Sequence, residues 1–227
     1  MNSIGDSAPS EARSIIAATV PDAPSQPTLV AQDETSIQIA WTANFNGGTP
    51  IDDYEVYWKL SSASDYLDSV LSTGNALGHT VAVGLDTGLE YDFKVRAKND
   101  VGVSEYSPVS RFMAARAADA PPAPTSSFAD QTSITVDWTA PYTGGTPITN
   151  YKVLWNLGGT GTTFTDLVTV DSTTFTYTQA ALTTGEIYKF RVVAVNFVGD
   201  GAESDILQVY AATKPLQPST PVQLSAD

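Results

Sequence analysis

The chain has 227 residues, enough for one to three domains, and 42% of them are hydrophobic, an ordinary share for a globular protein. Asp and Glu number 25 against 11 Lys and Arg, and the formal charge of −14 would repel nucleic acid and anionic membrane. The absence of cysteine excludes disulfides, thiolate zinc clusters and thiol catalysis, and no run approaches the roughly 18 apolar residues of a membrane span.

Taken in order, residues 1–21 read as a last loop and last strand, with Ile15 and Ile16 as its apolar pair, and show no signal-peptide pattern. Pro24 to Ala31 predicts a proline-led edge strand. Ser36 to Trp41 alternates, with Ile37, Ile39 and Trp41 inward. Asn46-Gly47-Gly48-Thr49-Pro50 is a turn, and Ile51 to Lys59 follows as a strand with Tyr54, Val56 and Trp58 on one face. The polar stretch Ser61 to Ala76 holds a short edge strand, and His79 to Val83 is another strand. A turn at Leu85 then opens the central strand, which faces Tyr91, Phe93, Val95 and Ala97 inward and Asp92, Lys94, Arg96 and Lys98 outward. A loop from Asn99 to Ser104 and a last strand through Phe112 to Ala115 complete about seven strands at sandwich spacing.

The plan then repeats. Trp41 and Trp138 lie 138−41 = 97 residues apart, and the same interval joins Tyr54 to Tyr151, Trp58 to Trp155, Leu85 to Leu182 and Tyr91 to Tyr188. No insertion or deletion is needed between these marks. Gln179 falls where an apolar inward residue is expected. The expected organisation is a terminal strand over 1–21, complete modules over 22–118 and 119–215, and a lone first strand over 216–227. Two flanking partial modules suggest a window on a longer array, or a strand that completes a sheet in a neighbouring molecule.

The combination of Pro24, Trp41, Tyr54-x-Val56-x-Trp58 and Leu85-x-x-Gly88-x-x-Tyr91-x-Phe93-x-Val95-x-Ala97-x-Asn99-x-x-Gly102 resembles the fibronectin type III family, and it occurs twice. The resemblance implies an all-β fold of tandem seven-stranded immunoglobulin-like β-sandwiches. It implies core roles for Trp41, Tyr54, Leu85, Tyr91, Trp138, Tyr151, Leu182 and Tyr188, with each of Tyr91 and Tyr188 tying its hydroxyl back to upstream backbone. The Gly-Gly-Thr-Pro-Ile turn is similar to modules of long arrays, and the Arg-Gly-Asp tripeptide of some family members is absent.

Little in the chain suggests chemistry. His79 is the sole histidine and aligns with Thr176, so it reads as a solvated strand residue. Gly158-Gly159-Thr160-Gly161 lacks the lysine of a phosphate loop. The pairs Asp33-Glu34 and Asp52-Asp53 could suggest calcium, but they align with Asp130-Gln131 and Thr149-Asn150 and so read as loop carboxylates. Neither catalysis, a metal nor a cofactor is expected. One candidate contact face emerges: by alternation Leu154, Val193 and Val195 form an apolar patch on an outer sheet face, where the first copy has Tyr57, Arg96 and Lys98, and the alternative is incidental exposure or cover from a neighbouring loop.

The proline-rich stretch Ala118 to Pro124 reads as a stiff linker and predicts an extended rod. The expected role is a structural segment of a fibre, stalk or filament acting through protein contacts. Its partners would be neighbouring repeats of the same chain and further copies in a polymer or lateral assembly, without nucleic acid or membrane insertion. Alternatives are modules that bind a protein or glycan, and spacers attached to an enzyme. The expected setting is extracellular or the cell surface, with an intracellular giant repeat protein as the alternative.

Overall fold

The computed structural model describes residues 11, 17–66 and 70–213. Ile15, Ile16 and the lone strand expected within 216–227 lie outside the described residues. Two compact units divide between Ala114 and Ala115.

In the first unit the strands are β1 (Thr28–Gln32), β2 (Ile37–Ala40), β3 (Asp53–Leu60), β4 (Val70–Ser72), β5 (Gly78–Val81), β6 (Glu90–Asn99), β7 (Gly102–Val103) and β8 (Ser110–Met113). One sheet runs β1-β2-β5; the other runs β4-β3-β6, with β7 and β8 both paired to β6. All pairings are antiparallel. The alternation read from the sequence sets the faces: Ile37, Ile39 and Trp41 from one sheet meet Tyr54, Val56, Phe93 and Val95 from the other, all buried. Each such side chain contributes about 1.5–3 kcal/mol relative to exposure. Trp41 lies against Tyr54 with ring centroids 5.7 Å apart.

The second unit repeats this with β9 (Thr125–Ala129), β10 (Ile134–Asp137), β11 (Ile148–Trp155), β12 (Thr165–Asp171), β13 (Thr176–Gln179), β14 (Ile187–Asn196), β15 (Gly199–Glu203) and β16 (Leu207–Tyr210). Its sheets run β13-β10-β9 and β12-β11-β14, with β15 and β16 both on β14. Trp138 and Tyr151 stand 5.8 Å apart in a separate core. The two indole Nε1 groups are buried without a partner among the described residues.

The last strand is broken in the first unit between β7 and β8, where Pro108 has no N–H to offer. Serine hydroxyls fill the gap: Ser104 Oγ accepts from Ala97 N at 2.9 Å, and Ser107 Oγ accepts from Val95 N at 3.0 Å. In the second unit Ser204 Oγ serves Val192 N in the same way.

The stretch expected as a stiff linker belongs to the second unit. Ala118 is buried in its core, Pro121 and Pro124 are buried, and Asp119 N donates to Tyr142 O. The sequence-based boundary after Ala118 marks where the repeat resumes, whereas the chain is already held on the second unit at Arg116, whose N–H donates to Gly144 O.

The copies also slip against each other once. Ser72 opposes Glu55 as Thr169 opposes Lys152, at the interval 169−72 = 97. Val81 opposes Ile37 as Gln179 opposes Ile134, at 179−81 = 98. The turn after β12 therefore holds one more residue than its counterpart after β4, and the link after β13 holds one fewer. Gln179 does occupy an inward place, and its polar head is met by the Tyr177 hydroxyl at 3.2 Å and by Ala180 O at 2.8 Å. His79, opposite Ile39, corresponds to Tyr177 rather than Thr176, and it is half-buried rather than solvated.

Candidate contact surfaces

The eight residues expected in the core lie there, with Leu85 half-buried and the others buried. Tyr91 Oη accepts from Asp86 N at 2.6 Å, and Tyr188 Oη accepts from Thr183 N at 2.9 Å. These bonds pin the turn that opens each central strand.

The apolar face expected on the second unit is not free. Leu154 is 8% exposed, Val193 is 4% exposed, and Val195 is half-buried. Alternation places them outward correctly, but charged neighbours fold over them. Lys152 on β11 opposes Val193, and Asp200 on β15 opposes Val195. The Lys152–Asp200 ion pair, 2.6 Å, thus crosses β14 diagonally between the two valines. Arg191, opposite Leu154, pairs with Glu203 and sets its guanidinium over the Phe164 ring at 4.9 Å. Long aliphatic stems can cover apolar surface while their heads stay wet.

The corresponding face of the first unit is different. Cross-strand neighbours on β3 and β6 are Asp53–Lys98, Glu55–Arg96, Tyr57–Lys94 and Lys59–Asp92, and Arg111 on β8 opposes Asp92. Five of the chain's 11 cations therefore gather on one sheet of an acidic protein. Most are matched: Arg96 Nε meets Glu55 Oε2 at 2.6 Å, and Arg111 Nε meets Asp92 Oδ1 at 2.7 Å. Lys94 sits instead among tyrosines, its Nζ 3.6 Å from the Tyr106 ring centroid and 4.0 Å from that of Tyr66. Arg96 stacks near Tyr57 and Tyr106 at 5.2 and 5.3 Å, and those two rings meet edge-on at 5.1 Å. Burial, with hydrogen bonds to Tyr106 and Glu55, pushes the Tyr57 phenol above its ordinary value, and burial also raises Tyr66. Tyr106 stays 37% exposed, so the cluster faces solvent. Tyr66 and Tyr106 lie in loops outside any alternating pattern, and the sequence offered no signal that they converge on Lys94.

Of the acidic pairs, Asp33 braces its own loop, as Asp130 does in the second copy, while Asp53 opens β3. Asp33 Oδ1 accepts from Thr35 N and Ser36 N, both at 2.7 Å, and Asp130 repeats this with Thr132 N and Ser133 N at 2.8 and 2.7 Å. Those bonds hold both carboxyls below the usual carboxylate range. Among the described residues no three His, Cys, Asp or Glu side chains could jointly hold a metal ion. Gly158 is explained by packing, since a Cβ there would lie 2.9 Å from the Tyr188 ring. No helix among the described residues is long and apolar enough to cross a membrane. Each unit also carries a shallow open groove, about 510 Å³ beside Ile51, Tyr54 and Leu77 and about 490 Å³ beside Ile148, Tyr151 and Phe175.

This geometry accords with comparison to known proteins. The fibronectin type III domain family matches residues 22–113 and 119–210, and the chain belongs to that family. Drosophila melanogaster titin is 30% identical over 226 residues, covering 93% of this chain and 1% of titin. The mouse protein named cell adhesion molecule-related/down-regulated by oncogenes is 35% identical over 92 residues, 40% of this chain and 7% of that protein. The solved FN1-FN3 domains of chicken CNTN1 superpose with a TM-score of 0.50 at 17% identity, over 86% of this chain and 68% of that one, a likeness of fold. The chain spans less than a fifth of the length of the curated relatives it matches.

Proposed function

We propose that this chain is a structural segment of an extended tandem-repeat protein, a fibre, stalk or filament, which acts through protein contacts rather than catalysis. The observation that carries the reading is the pair of separate cores, each closed around its own tryptophan and tyrosine corner. Modules with separate cores joined in series bear the same load and unfold one at a time. The match to a 1% portion of titin supports an origin in a long array. The adhesion-related relative supports an extracellular or cell-surface setting, and the titin match supports a giant intracellular repeat protein as the alternative.

Pulling the chain from its two ends tests the mechanical reading. Two separate unfolding events are expected, each releasing roughly 300 Å of chain for a module of this repeat length. A single rip spanning both units, or extension without resistance, would refute it.

A second reading, modules that bind a protein, is favoured by the Tyr57–Tyr106–Arg96 cluster, since exposed tyrosine and arginine dominate contact energies at protein interfaces. Neighbouring repeats or further copies of the chain are the partners proposed for it.

A further inference from the structure

We propose that the Gly-Gly turn and the buried asparagine of each unit form a clamp on the main chain of the segment leading into that unit, and that this clamp shields the segment from proteases. The same bonds recur in both copies. In the first, Thr19 N donates to Gly47 O at 2.8 Å, and Asn99 Nδ2 donates to Thr19 O at 2.8 Å and to Asn46 O at 2.9 Å. In the second, Arg116 N donates to Gly144 O at 2.8 Å, and Asn196 Nδ2 donates to Arg116 O and Thr143 O, both at 2.8 Å.

Each asparagine spends its other atom on its own turn, with Asn196 Oδ1 accepting from Val198 N and Gly199 N and Asn99 Oδ1 from Val101 N and Gly102 N. At 2% and 4% exposure, these amides are fully engaged and dry. The turn glycines are required twice over. Their φ values are +76° and +73°, and a Cβ would fall 2.1 Å from Thr19 O at Gly47 and 2.3 Å from Arg116 O at Gly144.

The gripped residues differ between copies, Thr19-Val20 against Arg116-Ala117, while the bonds do not. The clamp therefore reads backbone and ignores side chains. That is also what a protease must read, because an extended substrate is held by pairing its main-chain N–H and C=O groups. At Arg116 both groups are already taken. The arginine side chain is held as well, by an ion pair to Asp119 at 2.6 Å and by stacking over Tyr142 at 5.5 Å. A protease that cuts after basic residues must open the clamp before it can use this one.

Limited trypsin digestion of the whole chain, with mass spectrometry of the Arg116–Ala117 bond, tests the idea. Asn196→Asp removes the two N–H donors and keeps the oxygen that braces the turn. Cutting after Arg116 should accelerate about tenfold or more, while cutting after Lys189, inside β14, stays as slow as in the parent. Gly144→Ala should act in the same direction. Equal cutting after Arg116 in parent and Asn196→Asp would overturn the proposal. Hydrogen exchange on the parent gives an answer without any variant: the Arg116 amide should be protected, and exchange at the rate of an unstructured chain would overturn the clamp.

Discussion

Tyr91 and Asp86 are joined across the turn that opens β6, the phenol oxygen accepting the Asp86 N–H at 2.6 Å. Tyr188 and Thr183 repeat the bond at 2.9 Å. Replacement by phenylalanine keeps the ring in the core and removes only this acceptor. Tyr91→Phe and Tyr188→Phe should each cost about 1 kcal/mol, read as a lowered urea midpoint with an unchanged slope. A change in slope would show that the substitution altered more than one bond.

Ala181 stands at φ +58°, where the first unit places Gly84 at φ +70° in the corresponding turn. A left-handed alanine costs about 1–2 kcal/mol, partly offset by the extra freedom glycine gives the unfolded chain. Ala181→Gly should therefore raise the stability of the second unit by about 0.5–1 kcal/mol, while Gly84→Ala should lower that of the first. Separate thermal transitions, one per unit, would report both signs.

The Asp130 brace gives the second unit a pH dependence of known sign. Two backbone N–H groups and two hydroxyls favour the ionised carboxylate, so the carboxyl titrates lower in the folded state than in the unfolded chain. Its stabilising effect is complete above the unfolded value of about 3.9 and is lost as pH falls through the lower folded value. Asp130→Asn keeps an oxygen acceptor without a charge. The stability gap between the parent and the Asp130→Asn variant should close as the pH is lowered from about 7 toward about 2, and parallel curves would count against the assignment.

Among the described residues Lys94 is held by rings rather than by a carboxylate. Lys94→Met should destabilise the first unit by about 1–2 kcal/mol, and Lys94→Arg should recover much of that because a guanidinium also stacks on tyrosine. The loss should appear as a shift in the first unit's thermal transition with the second unmoved.

The parts of the fold that were legible in the sequence are those with local periodicity. Ile37, Ile39 and Trp41 alternate, as do Tyr91, Phe93, Val95 and Ala97, and period two specifies a half-buried strand without reference to anything distant. The one-residue slip at Val81 and Gln179 was hidden because a longer turn on one side and a shorter link on the other cancel by Leu182. The burial of Leu154 and Val193 was hidden for another reason. It depends on Lys152 and Asp200, 48 residues apart, finding each other over β14. The tyrosine box around Lys94 likewise draws on two loops and two strands, and no linear pattern encodes that convergence.

The serine hydroxyls at the interruption between β7 and β8 have a bearing on how such a protein lives at high concentration. A gap in an outermost strand would normally leave bare donors on the strand behind it, an invitation for a foreign chain to lie down and start a fibril. With Ser104 and Ser107 already occupying the donors of Ala97 and Val95, that berth is filled from within, and many copies can stand side by side without fusing through it.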